Sequence, residues 1–361
     1  MNFRASGSFI VGTDYGEGRR SGPMAFLVFG ILLFLIVASD IVKTTLSMRG
    51  GGMITNRVSR LLWRLFFLAS GRKGESKLLE YTGQCVLLCV LLSWIACLWL
   101  SLFLMLASDP WSVVNGTTKA PADLWQMAYY AGYTLSTLGV GDYVAASDGW
   151  RIVTSAAAFC GLTFITMAIT YIVPVLSAVS VQRQLSIQVT GMGGTPQQIL
   201  LNSWNGDDFS AFYDSATDLA QTLVEHTLNY HAYPVVHCFH DSNPDKSMIP
   251  AIARLDETLW LLSEIDADKP QSRLKHKQLE SAIDRHLALL QSNFALRTSF
   301  DDAQPEVDLD ALRQAGIRFR QGTSEQDASR AKRRSLLRGL MASDGWNWST
   351  VYGNGGGAGQ A

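Results

Sequence analysis

Six consecutive residues, Thr137-Leu138-Gly139-Val140-Gly141-Asp142, set glycines at alternate positions between a hydroxyl and a carboxylate. Glycine adopts left-handed backbone angles without steric cost. Alternating glycines therefore let successive carbonyls turn to one side of an extended stretch. Rings of such carbonyls can replace the hydration shell of a cation. Thr137 can add a ring of hydroxyls at one end, and Asp142 negative charge at the other. A second cluster, His231, His237, Cys238 and His240 with Asp241, carries soft metal-ligand types. Its spacing matches no standard site and Pro234 interrupts it, so an ordinary polar loop accounts for it and no firm metal site is expected. Gly191, Gly193 and Gly194 lie in G-M-G-G without the strand-loop-helix context of a phosphate loop, and read as a flexible linker. No nucleophile-base arrangement stands out, so no enzyme is expected, and no cofactor.

The elements that must hold the six residues follow from charge. Residues 21–39, 81–108 and 152–182 contain no Asp, Glu, Lys or Arg. Each is long enough to cross a bilayer core, which takes about 20 apolar residues in a helix. Arg19 and Arg20 precede the first run, but no small-residue cleavage site follows, so it reads as a retained span rather than a leader. Four of the five cysteines, Cys85, Cys89, Cys97 and Cys160, fall in these runs as small hydrophobes, and no disulfide framework is expected. Leu124–Gly141 is also uncharged, too polar for a lipid-facing span and too apolar for a loop. It reads as a re-entrant element: a short helix over about Asp123–Ser136, then the extended glycine stretch. The helix would aim its C-terminal carbonyls at a cation.

The loop between the first two spans holds Arg49, Arg57, Arg60, Arg64, Arg72, Lys73 and Lys77 against Glu75 and Glu80, whereas Asp109–Asp123 holds only Lys119 as a base. Positive loops stay in the cytoplasm. The expected order is then an extracellular segment 1–23, a span 24–46, a basic cytoplasmic loop 47–80 and a span 81–108. An extracellular loop with the re-entrant element, 109–149, precedes a span 150–182, a cytoplasmic domain 183–352 and a disordered tail 353–361. Arg4, Arg19 and Arg20 pull against this orientation and are outnumbered. Arg57, Arg60 and Arg64 recur at spacings of three and four through V-S-R-L-L-W-R-L-F-F-L-A, a basic amphipathic helix fit either for inner headgroups or for packing on the C-terminal domain. Asp40 and Lys43, three apart at the cytoplasmic end of the first span, can pair across a turn.

T-L-S-T-L-G-V-G-D resembles the potassium-channel signature T-x-x-T-V-G-Y-G-D. The resemblance implies potassium coordination by Thr137, Leu138, Gly139, Val140 and Gly141, with Asp142 at the filter mouth. It implies filter support from Thr134 and Ser136, and bracing by the aromatic pair Tyr129 and Tyr130. Gly161 falls where the family carries an inner-helix hinge, and Pro174 where a bend shapes the gate. The match covers the whole two-span pore module, residues 81–180. Two positions depart from it: Leu138 stands for the usual Val and Val140 for the usual Tyr, whose hydroxyl normally bonds behind the filter. The implied protein is a homotetrameric, all-α channel subunit in the cell membrane. It would pass potassium ions, with no nucleic-acid partner and an unidentified cytoplasmic ligand at most. One filter motif per chain requires four chains. No span carries the periodic arginines of a voltage sensor. A weakly selective monovalent cation pore, and a membrane-anchored sensor or scaffold with a vestigial pore, are the alternatives.

Beyond Gln182 the pattern predicts helices over Asp207–Leu228, Ile249–Ile265, Gln271–Leu290, Val307–Ile317 and Thr323–Leu340, with a strand over Tyr233–Phe239. Lys332, Arg333, Arg334 and Arg338 make a basic face on the last helix, expected to be solvated.

Overall fold

The computed structural model describes residues 24–47, 50–265, 272–293, 307–320 and 324–353. The expected N-terminal segment 1–23 and nearly all of the tail lie outside them. The chain is an all-α membrane protein, and among the described residues three helices are long and apolar enough to cross a bilayer. These are α1 (Met24–Leu46), α4 (Thr82–Ala107) and α6 (Asp148–Met192). Between the first two lie α2 (Met53–Ala69) and α3 (Lys77–Glu80). Between the last two lie β1 (Val113–Asn115), α5 (Leu124–Leu135) and β2 (Tyr143–Ala145). The rest is α7 (Pro196–Ser203), α8 (Ser210–Ala232), α9 (Met248–Glu264), α10 (Arg273–Asn293), α11 (Asp310–Gln314), α12 (Ser324–Ser343) and α13 (Trp348–Tyr352).

Two compact units divide the chain. One comprises the described residues up to Ser39 together with Ser93–Thr166, and the other Asp40–Leu92 together with the described residues from Met167 onward. In the first, α1 meets α4 through a glycine. A side chain at Gly30 would stand 2.7 Å from Met105 and 2.9 Å from the Ser101 carbonyl. Ser101 Oγ donates to the Gly30 carbonyl at 2.8 Å. Small residues that let backbones approach are the usual basis of helix association in lipid.

In the second unit the core is built around α9, which is buried on almost every side from Met248 to Leu262, the signature of a helix inside a core. Helices α8 and α10 supply Phe212, Leu219 and Leu223 and Leu279, Ile283 and Leu287 to the same core. The basic face of α12 is solvated at Lys332, but Arg333 and Arg334 are drawn into ion pairs. Arg330 and Arg333 pair with Asp256, Arg334 binds Glu257 at 2.7 Å, and both Arg330 and Arg334 stack over Trp260. Burial alone would raise the Glu257 pKa; the Arg334 hydrogen bonds and the Arg330 and Arg334 charges outweigh it and hold the carboxyl below its ordinary value. The acidic partners were hidden in the sequence because they lie far away in the chain.

Other expectations are corrected here. Tyr233–Phe239 forms no strand: Pro234–Cys238 is a 3-10 turn, since proline presets a helical φ and removes a ladder donor. The helix expected over Val307–Ile317 is confined to α11. Helix α6 runs ten residues past its expected end, through Gly191. The G-M-G-G stretch is then a tight turn and not a flexible linker. A side chain at Gly193 would strike the Ile199 amide at 2.6 Å, and Thr195 caps α7 through Gln198 N. Asp40 is buried, and its carboxylate accepts from Ile54 N at 2.6 Å and from Thr55 N and Oγ. It serves as the remote N-terminal cap of α2, whose preceding residue, Gly52, leaves no room for a side chain beside it.

Histidines gather in this unit. His226, His286 and Tyr230 stand with His237, His240 and Asp344 around a cavity of about 20 Å³, the size of one water. His237 Nε2 lies 3.5 Å from Asp344 Oδ1, and His240 Nε2 donates to the Gly74 carbonyl at 2.7 Å. Burial lowers His226 and His237 to about 4 and raises Asp344 to about 8; burial and the nearby His226 lower His286 well below its ordinary value.

The signs fix a pH profile. Below pH 6.5 the unfolded chain binds protons that the folded chain refuses, on His226 and His237 until about pH 4 and on His286 because burial holds it well below its ordinary value, so stability falls on acidification. Asp344 keeps its proton when folded and loses it above pH 3.8 when unfolded, so its contribution falls as pH rises towards 8. The histidines outnumber it in the acid range, each proton changing stability by about 1.4 kcal/mol per pH unit. Thermal melts of the detergent-solubilised protein will peak near pH 6.5 and decline on both sides. Asp344→Asn will flatten the alkaline side and steepen the acid side, where Asp344 opposes the histidines. A second substitution, Glu257→Ala, strands the buried Arg334 guanidinium, while Arg330 keeps Asp256, and will cost about 3–5 kcal/mol in the same melts.

Candidate functional site

The glycine stretch begins where α5 ends. Asp123 starts the helix with a capping box: its side chain accepts from Gln126 N at 2.8 Å, and the Gln126 side chain accepts from Asp123 N at 2.9 Å. Trp99 of α4 donates to the Ala128 carbonyl at 2.9 Å and fixes the helix laterally. At the other end, Leu138 N donates to the Tyr133 carbonyl at 2.9 Å and Thr137 N to the Thr134 carbonyl at 3.0 Å. These two bonds are a Schellman closure, which needs a left-handed residue at Thr137. Thr137 has φ 60°. A β-branched residue pays about 1–2 kcal/mol there, and strain of this kind collects at functional sites.

The left-handed geometry then repeats. Gly139 has φ 58° and Gly141 φ 87°. Nothing lies within 4 Å of a Cβ placed on either, so backbone angle and not crowding demands glycine. Every second residue from 137 to 141 is left-handed, the alternation that can present successive carbonyls to one side. Leu138 and Val140 are 69% and 51% exposed on the single chain.

Beyond Gly141 the chain is tied down by elements that periodicity did not announce. Strands β1 and β2 pair antiparallel, with Val113 opposite Ala145 and Asn115 opposite Tyr143. Gly116 N donates to the Asp142 carbonyl at 2.7 Å, and a side chain at Gly116 would come within 2.8 Å of the Gly141 carbonyl. Asp142 is exposed, its carboxylate accepting from Tyr143 N at 3.0 Å. Asp109 accepts from the Trp150 indole at 3.0 Å, joining the start of this strap to α6.

The aromatic support is distributed differently from expectation. Tyr130 is buried and its hydroxyl meets Thr154 Oγ at 2.9 Å, so it braces α5 against α6. Tyr129 is half exposed and packs edge-on against Tyr133 and Tyr143. The residue that bonds to the chain just beyond the glycines is Tyr133, whose hydroxyl donates to the Tyr143 carbonyl. Its place four residues after Tyr129 and three after Tyr130, on the same side of a helix, was the available signal. Thr134 is buried, and Ser136 Oγ donates to the Tyr133 carbonyl at 3.1 Å, within the helix end.

Gly161 sits within continuous α6, and a Cβ there would meet the Leu135 carbonyl at 2.2 Å. Its evident task is close approach between α6 and the carboxyl end of α5. Pro174 also lies within α6, which continues beyond it to Met192. His237 and His240 belong to the histidine cavity, and His231 is exposed at the end of α8. Burial pushes the Cys238 thiol up to about 12, away from the thiolate a metal would need. Among the described residues no set of three or more His, Cys, Asp or Glu is placed to hold a metal ion.

A family model described as "Ion channel" matches residues 86–178, which include α5, the glycine stretch and both flanking helices through Gly161 and Pro174. The chain is also 31% identical over 327 residues to the uncharacterized membrane protein YdjJ of Bacillus subtilis, a match covering 90% of this chain and 95% of that one. No solved structure gives a significant match. At this identity and coverage the chain belongs to the membrane-protein family that includes YdjJ, and within it residues 86–178 are an ion-channel pore module.

Proposed function

We propose that the chain is one subunit of a homotetrameric channel that passes potassium ions down their gradient, with residues 137–141 as its filter. The observation that carries this is the alternating left-handed backbone at Thr137, Gly139 and Gly141, launched from the carboxyl end of α5. Carbonyls turned to one side supply one quarter of each coordinating ring, so four chains share an axis. The exposure of Leu138 and Val140 on one chain fits side chains that await neighbouring copies. The carboxyl end of α5 adds its dipole at the inner end of the filter and Asp142 its charge at the mouth. By the positive-inside rule the basic segment carrying α2 faces the cytoplasm, as does the unit that follows α6. That unit would gate the pore through α6, with no voltage sensor.

Val140 favours a second reading. Without the tyrosine hydroxyl usual at this position, the filter leans on the Tyr133–Tyr143 bond and the β1–β2 strap, and a looser filter would pass sodium as well as potassium.

Thallium uptake into proteoliposomes tests conduction. The wild-type protein will admit thallium above the level of empty liposomes; no uptake at any pH or membrane potential would defeat the proposal. Gly139→Ala forces about 1–2 kcal/mol of backbone strain into each filter strand without a clash. It will reduce uptake to background while the protein still runs as a tetramer on gel filtration. Tyr133→Phe leaves the Tyr143 carbonyl without its donor, a cost of about 1–3 kcal/mol, and will lower the thallium-to-sodium preference rather than abolish flux.

A further inference from the structure

Helix α2 has two unlike sides. One is fastened within its unit: Thr55 bonds to Asp40 and Thr44, and the Trp63 ring lies 4.9 Å from His237 and 6.1 Å from His240. The other side is open. Met53, Leu61, Leu65 and Leu68 are all more than half exposed, and Arg57, Arg60 and Arg64 are exposed beside them. The helical repeat places the three arginines in one row and the leucines in an adjoining row. The helix contains no acidic residue.

We infer that this open side of α2 is a docking surface for the anionic phospholipid headgroups of the membrane the chain spans. Three features of the chain select that occupant. The arginine row offers planar donors to phosphate oxygens. The leucine row is suited to the shallow apolar layer beneath the headgroups, the arrangement of an interfacial helix. Asp40 belongs to α1 and caps α2, so α2 starts at the end of a spanning helix, where headgroups lie. A soluble phosphate would satisfy the arginines and leave the leucines in water. The fastened side gives the surface a further connection. Trp63 rests on the turn whose Phe239 carbonyl accepts from Gln182 of α6 at 3.2 Å, so the lipid-facing helix and α6 meet at the same short segment. The inference concerns the surface alone and does not depend on conduction.

Hydrogen exchange of the full chain in nanodiscs tests it. Three arginines near a charged surface add about fivefold each to the preference for anionic lipid, roughly a hundredfold together. Amides of residues 53–69 will therefore exchange at least about tenfold more slowly in discs containing phosphatidylglycerol than in phosphatidylcholine discs. The difference will vanish in the Arg57→Gln, Arg60→Gln, Arg64→Gln triple variant, with exchange in Met248–Glu264 unchanged as a check on folding. It will also shrink for the wild-type protein in molar potassium chloride, where charges are screened within a few ångström. Equal exchange in both discs would overturn the inference. So would protection by inorganic phosphate in neutral discs, which would mark a soluble-anion site, or full protection in neutral discs alone, which would mark a second copy of the chain as the occupant.

Discussion

The closure of one helix end governs the pore module. To satisfy the last carbonyls of α5, the chain must turn left-handed at Thr137, and it does so with a residue that pays for the conformation. That turn reverses the sense of the backbone and starts the alternation that Gly139 and Gly141 continue. The end of the helix and the start of the glycine stretch are one motif, so their relative geometry is set by two hydrogen bonds and not by a flexible joint. Gly161 completes it by giving the Leu135 carbonyl space against α6. Strain at Thr137, glycine at two alternate positions and glycine on the facing helix are three expressions of the same requirement.

The far end of the glycine stretch is held by a different device. Here the chain uses Tyr133, reaching from α5 to the carbonyl of Tyr143, and a two-stranded strap whose Gly116 amide holds the Asp142 carbonyl. The strap is short, and each strand alone would be unstable; pairing and the Asp109–Trp150 bond give it footing. The support comes from the surrounding scaffold and not from side chains within the glycine stretch.

Much of the pore module was legible in the residues because its constraints are local. Charge-free runs mark spans, an uncharged run too polar for lipid marks the re-entrant helix, and alternating glycines mark unusual backbone. Tyr133 was passed over because an aromatic pair beside it drew the assignment, and β1 and β2 because three-residue strands carry no periodicity. Beyond Gln182 the helices Asp207–Leu228 and Ile249–Ile265 were found to within a few residues as α8 and α9. The partners were not. Arg334 with Glu257, and His237 with Asp344, are joined only by tertiary packing over long stretches of chain. Asp40 illustrates the same limit, since its spacing to Lys43 pointed along the helix while its carboxylate caps a helix that begins beyond the next turn.

The central claim is that a dehydrated potassium ion passes along the backbone oxygens of residues 137–141. The reversal potential of the full chain in a planar bilayer, with potassium on one side and sodium on the other, tests it most directly. The account predicts a potential displaced strongly from zero in the direction of potassium efflux from its own side. Measurable current reversing at zero would contradict it.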